Sequence, residues 1–307
     1  MEGILQRAQN IKEVIGDRIW SETIDNINKH IKQIIKNKEL FIKVFGDDTK
    51  EVELEIFNNA VDAYVDLSSK GIYKIGISEE IIALLYEHSK YIFKSNNFFK
   101  EIQEKNEREK ARSSLFYYWI EIIFLHEVAH FFRGHLEEMG VDKFFEFKMF
   151  KSQEMESDIF FYEIDADRYG GIFYAAIFFL SIPNLKNHLK INEKLLIERY
   201  LIEGTLLFFD YFNNLDKKIN DVSYIDHSHP LQRMIFVLTA IQEAKNMKNE
   251  LFDEYLLEEF EELVNQKHIQ FITHMYKEQD IQKVYQEIID KKYFEKYDKF
   301  LKNKGLK

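Results

Sequence analysis

The sequence predicts an α+β protein, mostly helical, with a small sheet in its N-terminal half. Three observations carry that expectation. Only two prolines, Pro183 and Pro230, interrupt 307 residues, and no Pro/Gly/Ser linker divides them. The stretch EVELEIF (51–57) alternates charged and apolar residues at the period of a half-buried strand. From about Ser113 the period changes, and Leu115, Trp119, Ile122 and Ile123 fall on one stripe of a helix turning about 100° per residue.

In chain order, residues 1–38 read as helical. The opening MEGILQRAQNIKEVIGDRIW is amphipathic and charged throughout, unlike the apolar core of a signal peptide. FIKVF (41–45) precedes EVELEIF across GDDTK, which predicts a hairpin. AVDAYVDL (60–67) and GIYKIGIS (71–78) are the next strands. Ser78 then caps a helix with Glu79 and Glu80 in its first turn. EIQEKNEREKAR (101–112) is charged on all sides, an exposed helix or a connection. The striped helix follows, then a loop around Gly140 and a helix from about Gln153 to Leu180. Further helices are expected at about 192–213, 231–247 and 250–265, with one ending near Leu301. The segments 1–110, 111–247 and 248–307 group as a helical and β region, a helical core and a C-terminal helical region of one compact unit.

Hydrophobic residues make up 46% and charged residues 31%, the balance of a soluble globular protein. A net charge of −11 argues against general affinity for nucleic acid or an anionic membrane. With no cysteine, any metal must be held by histidines and carboxylates. The longest apolar run, Ile172–Ile182, has 11 residues, whereas crossing a hydrocarbon core takes about 20. It reads as a buried helix, and the expectation is a cytoplasmic protein without membrane insertion.

FLHEVAHFFRGH (124–135) extends the apolar stripe with two histidines. His126 and His130 are one helical turn apart on the same face, so both imidazoles can reach one Zn²⁺. Glu127, rotated by about 100°, is poorly placed to be a ligand to that ion but can take the proton of a water bound there. The bland alternative is a core histidine pair satisfied by hydrogen bonds. His135 is a tempting third ligand, yet the long HExxHxxGxxH pattern needs its histidine at position 136, which is Leu136. By helical rotation His135 projects away from His126, which assigns it a capping or surface role.

In YEIDADRYGG (162–171), Glu163 and Asp167 are four apart on one helix face. Glu163 can give the metal a carboxylate oxygen, and Asp167 can accept from the far nitrogen of His126 and fix its tautomer. Ala166, Gly170 and Gly171 keep this helix slim enough to approach the first. Glu154 and Asp158 form a competing pair in a stretch that is polar all round, and a ligand must face the core, which favours Glu163. Asp165, rotated about 200° from Glu163, is expected to be exposed. In DHSHPLQRM (226–234), Pro230 suits a helix's first turn, with His229 or Ser228 as its cap. His229 or His227 could instead stabilise an anionic tetrahedral intermediate, and Arg233 could hold a metal-site carboxylate.

HEVAHFFRGH, EIDAD and HPLQR together resemble the HExxH…ExxxD zinc peptidases called gluzincins. The pattern is similar to that of the HtpX and CAAX-prenyl-protease type, which shares an E-x-x-A-D helix and a late His-Pro followed by Arg. GIYKIGISEEIIALL is similar to the strand and helix that precede the active-site helix there. Those proteins carry membrane-spanning helices, which this sequence lacks, while regulatory and Lit-type phage-exclusion peptidases are soluble HExxH relatives. The resemblance covers roughly residues 60–240 and implies a zincin-like core, peptide hydrolysis, Glu163 as third ligand and Asp167 behind His126. It also implies that Tyr73, Lys74, Ile75, Gly76 and Ile77 form a cleft edge that binds extended polypeptide by strand addition. The competing expectations are a zinc-binding regulator or sensor with weak or triggered proteolysis, and a helical interaction protein without metal.

Overall fold

A computed structural model describes residues 2–46, 51–67, 72–95, 98–145, 153–211 and 293–305, with Gln282 and Gln286. The chain is mostly helical with one small mixed sheet, as the α+β expectation requires. Helices α1 (Glu2–Ile15), α2 (Asp17–Ile35) and α3 (Lys38–Phe45) lead into strands β1 (Glu51–Phe57), β2 (Ala63–Leu67) and β3 (Ile72–Ser78). Next come α4 (Glu79–Ser95), α5 (Lys105–Phe132), the short α6 (His135–Met139) and β4 (Lys143–Phe145). The long α7 (Gln153–Leu189) precedes α8 (Glu193–Leu196), which continues as a π-helical stretch, Ile197–Gly204, and then helix 205–211. Helix α9 (Tyr293–Lys304) is the last described element. Among the described residues no helix is long and apolar enough to cross a membrane.

The sheet order is β1-β3-β2-β4, with β1 parallel to β3 and the other two pairings antiparallel. This corrects two expectations. FIKVF does not form a hairpin with EVELEIF; it belongs to α3. The Asn37 side chain accepts from the Leu40 amide and caps that helix, and Gly46 ends it in a left-handed conformation. Five residues fit either period, but Leu40, Phe41 and Val44 also share a helix face, and all three are buried. The Phe41 ring lies 5.2 Å from Phe132 and 4.6 Å from Phe173, so contacts with α5 and α7 favour the helix.

The second correction concerns β3, which is interior. Tyr73–Ile77 pairs with Val52–Ile56 on one side and Ala63–Leu67 on the other, so its backbone donors and acceptors are committed. Strand addition at Tyr73, Lys74, Ile75, Gly76 or Ile77 has no free edge to use. The side chains are engaged too: the Tyr73 ring stacks 3.7 Å from Phe131 and its hydroxyl donates to Glu137 at 2.7 Å. Among the described residues the outer strands are β1 and β4.

Smaller differences have local causes. The first helical stretch breaks at Gly16 into α1 and α2. The charged segment 101–112 becomes helical only from Lys105. Helix α7 continues past Leu180 and through Pro183 to Leu189. Ser78 caps α4 as expected, its hydroxyl oxygen accepting from the Ile81 amide at 3.2 Å. The helices expected at 231–247 and 250–265 lie outside the described residues.

One continuous apolar core runs from Ala8 to Phe209, and α5 is its axis. Every residue from Phe116 to Phe131 except Tyr117 is buried on this helix. α5 packs against α7 on one side and against the sheet and α4 on the other. His88 of α4 stacks 3.9 Å from Tyr211 and 5.3 Å from Trp119. Burial, with Arg7 nearby, pushes its pKa from 6.5 down to about 3. The folded state therefore holds a neutral ring that the unfolded chain protonates below about 6.5. Its contribution is complete above that pH and declines as pH falls towards 3. Denaturant titrations at pH 7 and pH 5 should show about 2 kcal/mol more acid destabilisation in the wild type than in His88→Leu. Equal losses in both proteins would remove His88 from the account.

Candidate metal centre

Two packed helices build the site. α5 carries His126 and His130 one turn apart on its inward face, where the expected stripe places them, and both are buried. α7 brings Glu163 opposite. The helices can meet because Gly170 has no side chain: a Cβ there would lie 3.1 Å from the Cα and N of His126 and the carbonyl oxygen of Leu125.

The three ligand atoms converge. His126 Nε2 and His130 Nε2 are 3.0 Å apart, and each lies 3.3 Å from one oxygen of Glu163. A tetrahedron with bonds of about 2.0 Å has edges of roughly 3.3 Å, so the triangle has the dimensions of a zinc site. Among the described residues these three form the group able to hold a metal ion. Burial alone would raise the Glu163 pKa, but His130 and His126, when protonated and donating to it from Nε2, outweigh burial and hold the carboxyl well below its usual range.

Hydrogen bonds behind the ligands decide where the ring protons go. His126 Nδ1 lies 2.9 Å from Asp167 Oδ1, and the carboxylate can only accept, so the proton sits on Nδ1. His130 Nδ1 faces His135 Nδ1 at 3.0 Å, and His135 Nε2 faces Asp165 Oδ2 at 3.0 Å. Burial pushes the His135 pKa down to about 4 against the opposing pull of Asp165, so this ring is neutral. Its one proton serves Asp165, its Nδ1 accepts, and His130 must therefore donate from Nδ1. In the neutral form of both rings the Nε2 lone pairs then point at each other and at the Glu163 carboxylate. Three electron-rich groups gathered in a buried space could hold a cation between them. The donor set of two imidazoles and one carboxylate fits Zn²⁺, the occupant read from the motif.

Among family models, curated proteins and solved structures, none matches this chain. Its chemistry is therefore read from its own residues.

Glu127 is fully buried beside His126. Asp167 stands behind His126, the position read from the sequence. His135 and Asp165 correct the sequence reading, for neither is on the surface and both are wholly buried. The helical rotation used for His135 stops applying at Gly134, whose φ of +75° ends α5 and starts α6 in a new direction. The Asp165 face of α7 is also covered. Arg133 Nε donates to Asp165 Oδ2 at 2.7 Å, its guanidinium lies 4.0 Å from the Tyr169 ring centre, and the Tyr297 hydroxyl of α9 donates to Asp165 Oδ1. Burial would raise the Asp165 pKa, but His135 and Arg133 pull it below its usual value.

Arg133 and Tyr297 are the other participants that sequence reasoning missed. Arg133 had a visible signal, a cation directly before the helix-ending glycine. Tyr297 had none, since it lies 132 positions after Asp165. The Phe144 ring lies 4.8 Å from the His130 ring, so the outer strand that borders the centre is β4. The side chains of Glu154 and Asp158, and all of His227, Ser228, His229 and Arg233, lie outside the described residues.

Proposed function

We propose that this chain is a zinc-dependent endopeptidase of the HExxH type, with His126, His130 and Glu163 as ligands and Glu127 as general base. The observation that carries the reading is the convergence of two Nε2 lone pairs and the Glu163 carboxylate at 3.0–3.3 Å. The bound ion would supply Lewis acidity towards a carbonyl and lower the pKa of water. Glu127 takes a proton from water and returns it to the leaving amine. Asp167 keeps the His126 proton on Nδ1. His229 as oxyanion stabiliser and Arg233 as a carboxylate partner belong to the same proposal on sequence grounds. The substrate is polypeptide, and the net charge of −11 disfavours nucleic acid.

The gluzincin likeness of the motifs supports this reading through HEVAH and EIDAD, which supply the ligands and their partners. One observation favours a second reading. His126, His130, Glu127 and Glu163 are each less than a tenth exposed, as in a closed metal site that serves a regulator or sensor.

Zinc analysis and cleavage of an unfolded polypeptide, with and without chelator, separate the two. The proposal expects one zinc per chain and chelator-sensitive cleavage, and Glu163→Ala should lose stoichiometric zinc. Zinc without cleavage in the wild type would favour the regulator, and metal-replete protein without zinc would reject both.

A further inference from the structure

The two histidine ligands are held differently. His126 leans directly on a carboxylate, Asp167. His130 leans on another imidazole, His135, which leans on Asp165, and Asp165 is gripped by Arg133 and by Tyr297 of α9. His130, His135 and Asp165 have no exposed surface at all, so water cannot replace a missing partner. α9 is seated for this contact: Tyr297, Phe300 and Leu301 pack against Tyr162 and Ile164, which flank Glu163 on α7. Lys304 adds an ion pair with Glu138 at 3.5 Å.

We infer that His135, Asp165 and Tyr297 form a positioning relay that orients His130 for metal, so that metal affinity depends on docking of α9. The inference rests on the metal reading above. None of the three belongs to the group that would hold the ion. Asp165 fixes the His135 proton on Nε2, which leaves Nδ1 as an acceptor. That acceptor holds the His130 proton on Nδ1 and directs the Nε2 lone pair forward. Tyr297 and Arg133 keep Asp165 in place. A carboxylate alone could have done this for His130, as Asp167 does for His126. The imidazole inserted between them lets the relay reach an element far along the chain.

Two amide variants isolate the step. In His135→Asn, Oδ1 replaces Nδ1 and still accepts from His130. In His135→Gln, Nε2 is retained towards Asp165 but the acceptor is lost. Zinc dissociation constants from chelator competition should rise about 10- to 100-fold for Gln. Asn, which keeps the acceptor but loses Asp165, should fall between wild type and Gln, and Tyr297→Phe should weaken binding in the same direction as Gln. The Co²⁺ absorption bands should shift in Gln and Tyr297→Phe. A purely structural role would penalise the two amides alike and leave the cobalt spectrum unchanged. Should His135→Gln not fold, Tyr297→Phe, which keeps the ring packing, carries the test. Wild-type affinity and spectrum in Tyr297→Phe, or equal affinities in Asn and Gln, would overturn the relay. Wild-type protein that binds no zinc would instead defeat the metal reading, and the relay with it.

Discussion

If the chain is the proposed zinc peptidase, Glu127→Gln is expected to keep zinc and lose activity. The replacement is isosteric, so the ligands on either side in the chain, His126 and His130, keep their backbone positions on α5. What disappears is a group able to accept a proton. A general base contributes about 10²- to 10⁴-fold to rate, so kcat/KM on an unfolded polypeptide should fall by that factor, about 3 to 5 kcal/mol of barrier. Glu127 is fully buried, so bulk solvent is poorly placed to substitute for it. Zinc content should stay at the wild-type value. Cleavage at the wild-type rate, with zinc in place, would remove Glu127 from the reaction.

Gly170→Val is the other substitution with a large expected effect, and it acts on the frame. Even a methyl group at 170 meets three backbone atoms of α5 at 3.1 Å. Backbone in the middle of a buried helix cannot swing aside as a side chain can, so the helices must separate or the branched side chain must strain. Overpacking of this kind costs about 1–3 kcal/mol, and valine against backbone should reach the upper end. Separation would also pull Glu163 from the two imidazoles. The variant should lower the denaturation midpoint and weaken zinc binding together, whereas zinc bound with wild-type affinity would show that the close approach does not set the ligand triangle.

The ligand triangle was legible because each half of it is local. His126 and His130 are one turn apart, as are Glu163 and Asp167, and an apolar stripe tells which face turns inward. The spacing of Ala166 and Gly170 even signalled the close helix contact. Legibility ended wherever the backbone changed direction or a distant element arrived. His135 was misplaced because one left-handed glycine separates it from the helix used to project it. Asp165 was misplaced because α9, which covers it, carries no motif that points back to residue 165. FIKVF was misread because five residues cannot distinguish two periods, and the deciding contacts, Phe132 and Phe173, are remote in sequence. The interior position of β3 follows from strand order, which alternation alone does not encode.

The 132-position separation of Asp165 and Tyr297 has a temporal meaning. Ribosomes add about 5–20 residues each second, so Asp165 exists for roughly 7 to 26 s before its tyrosine is made. Throughout that interval the grip on Asp165 cannot be complete. On the relay inferred above, a metal centre assembled in this order would bind its ion weakly during synthesis and reach full affinity only after the late helix seats.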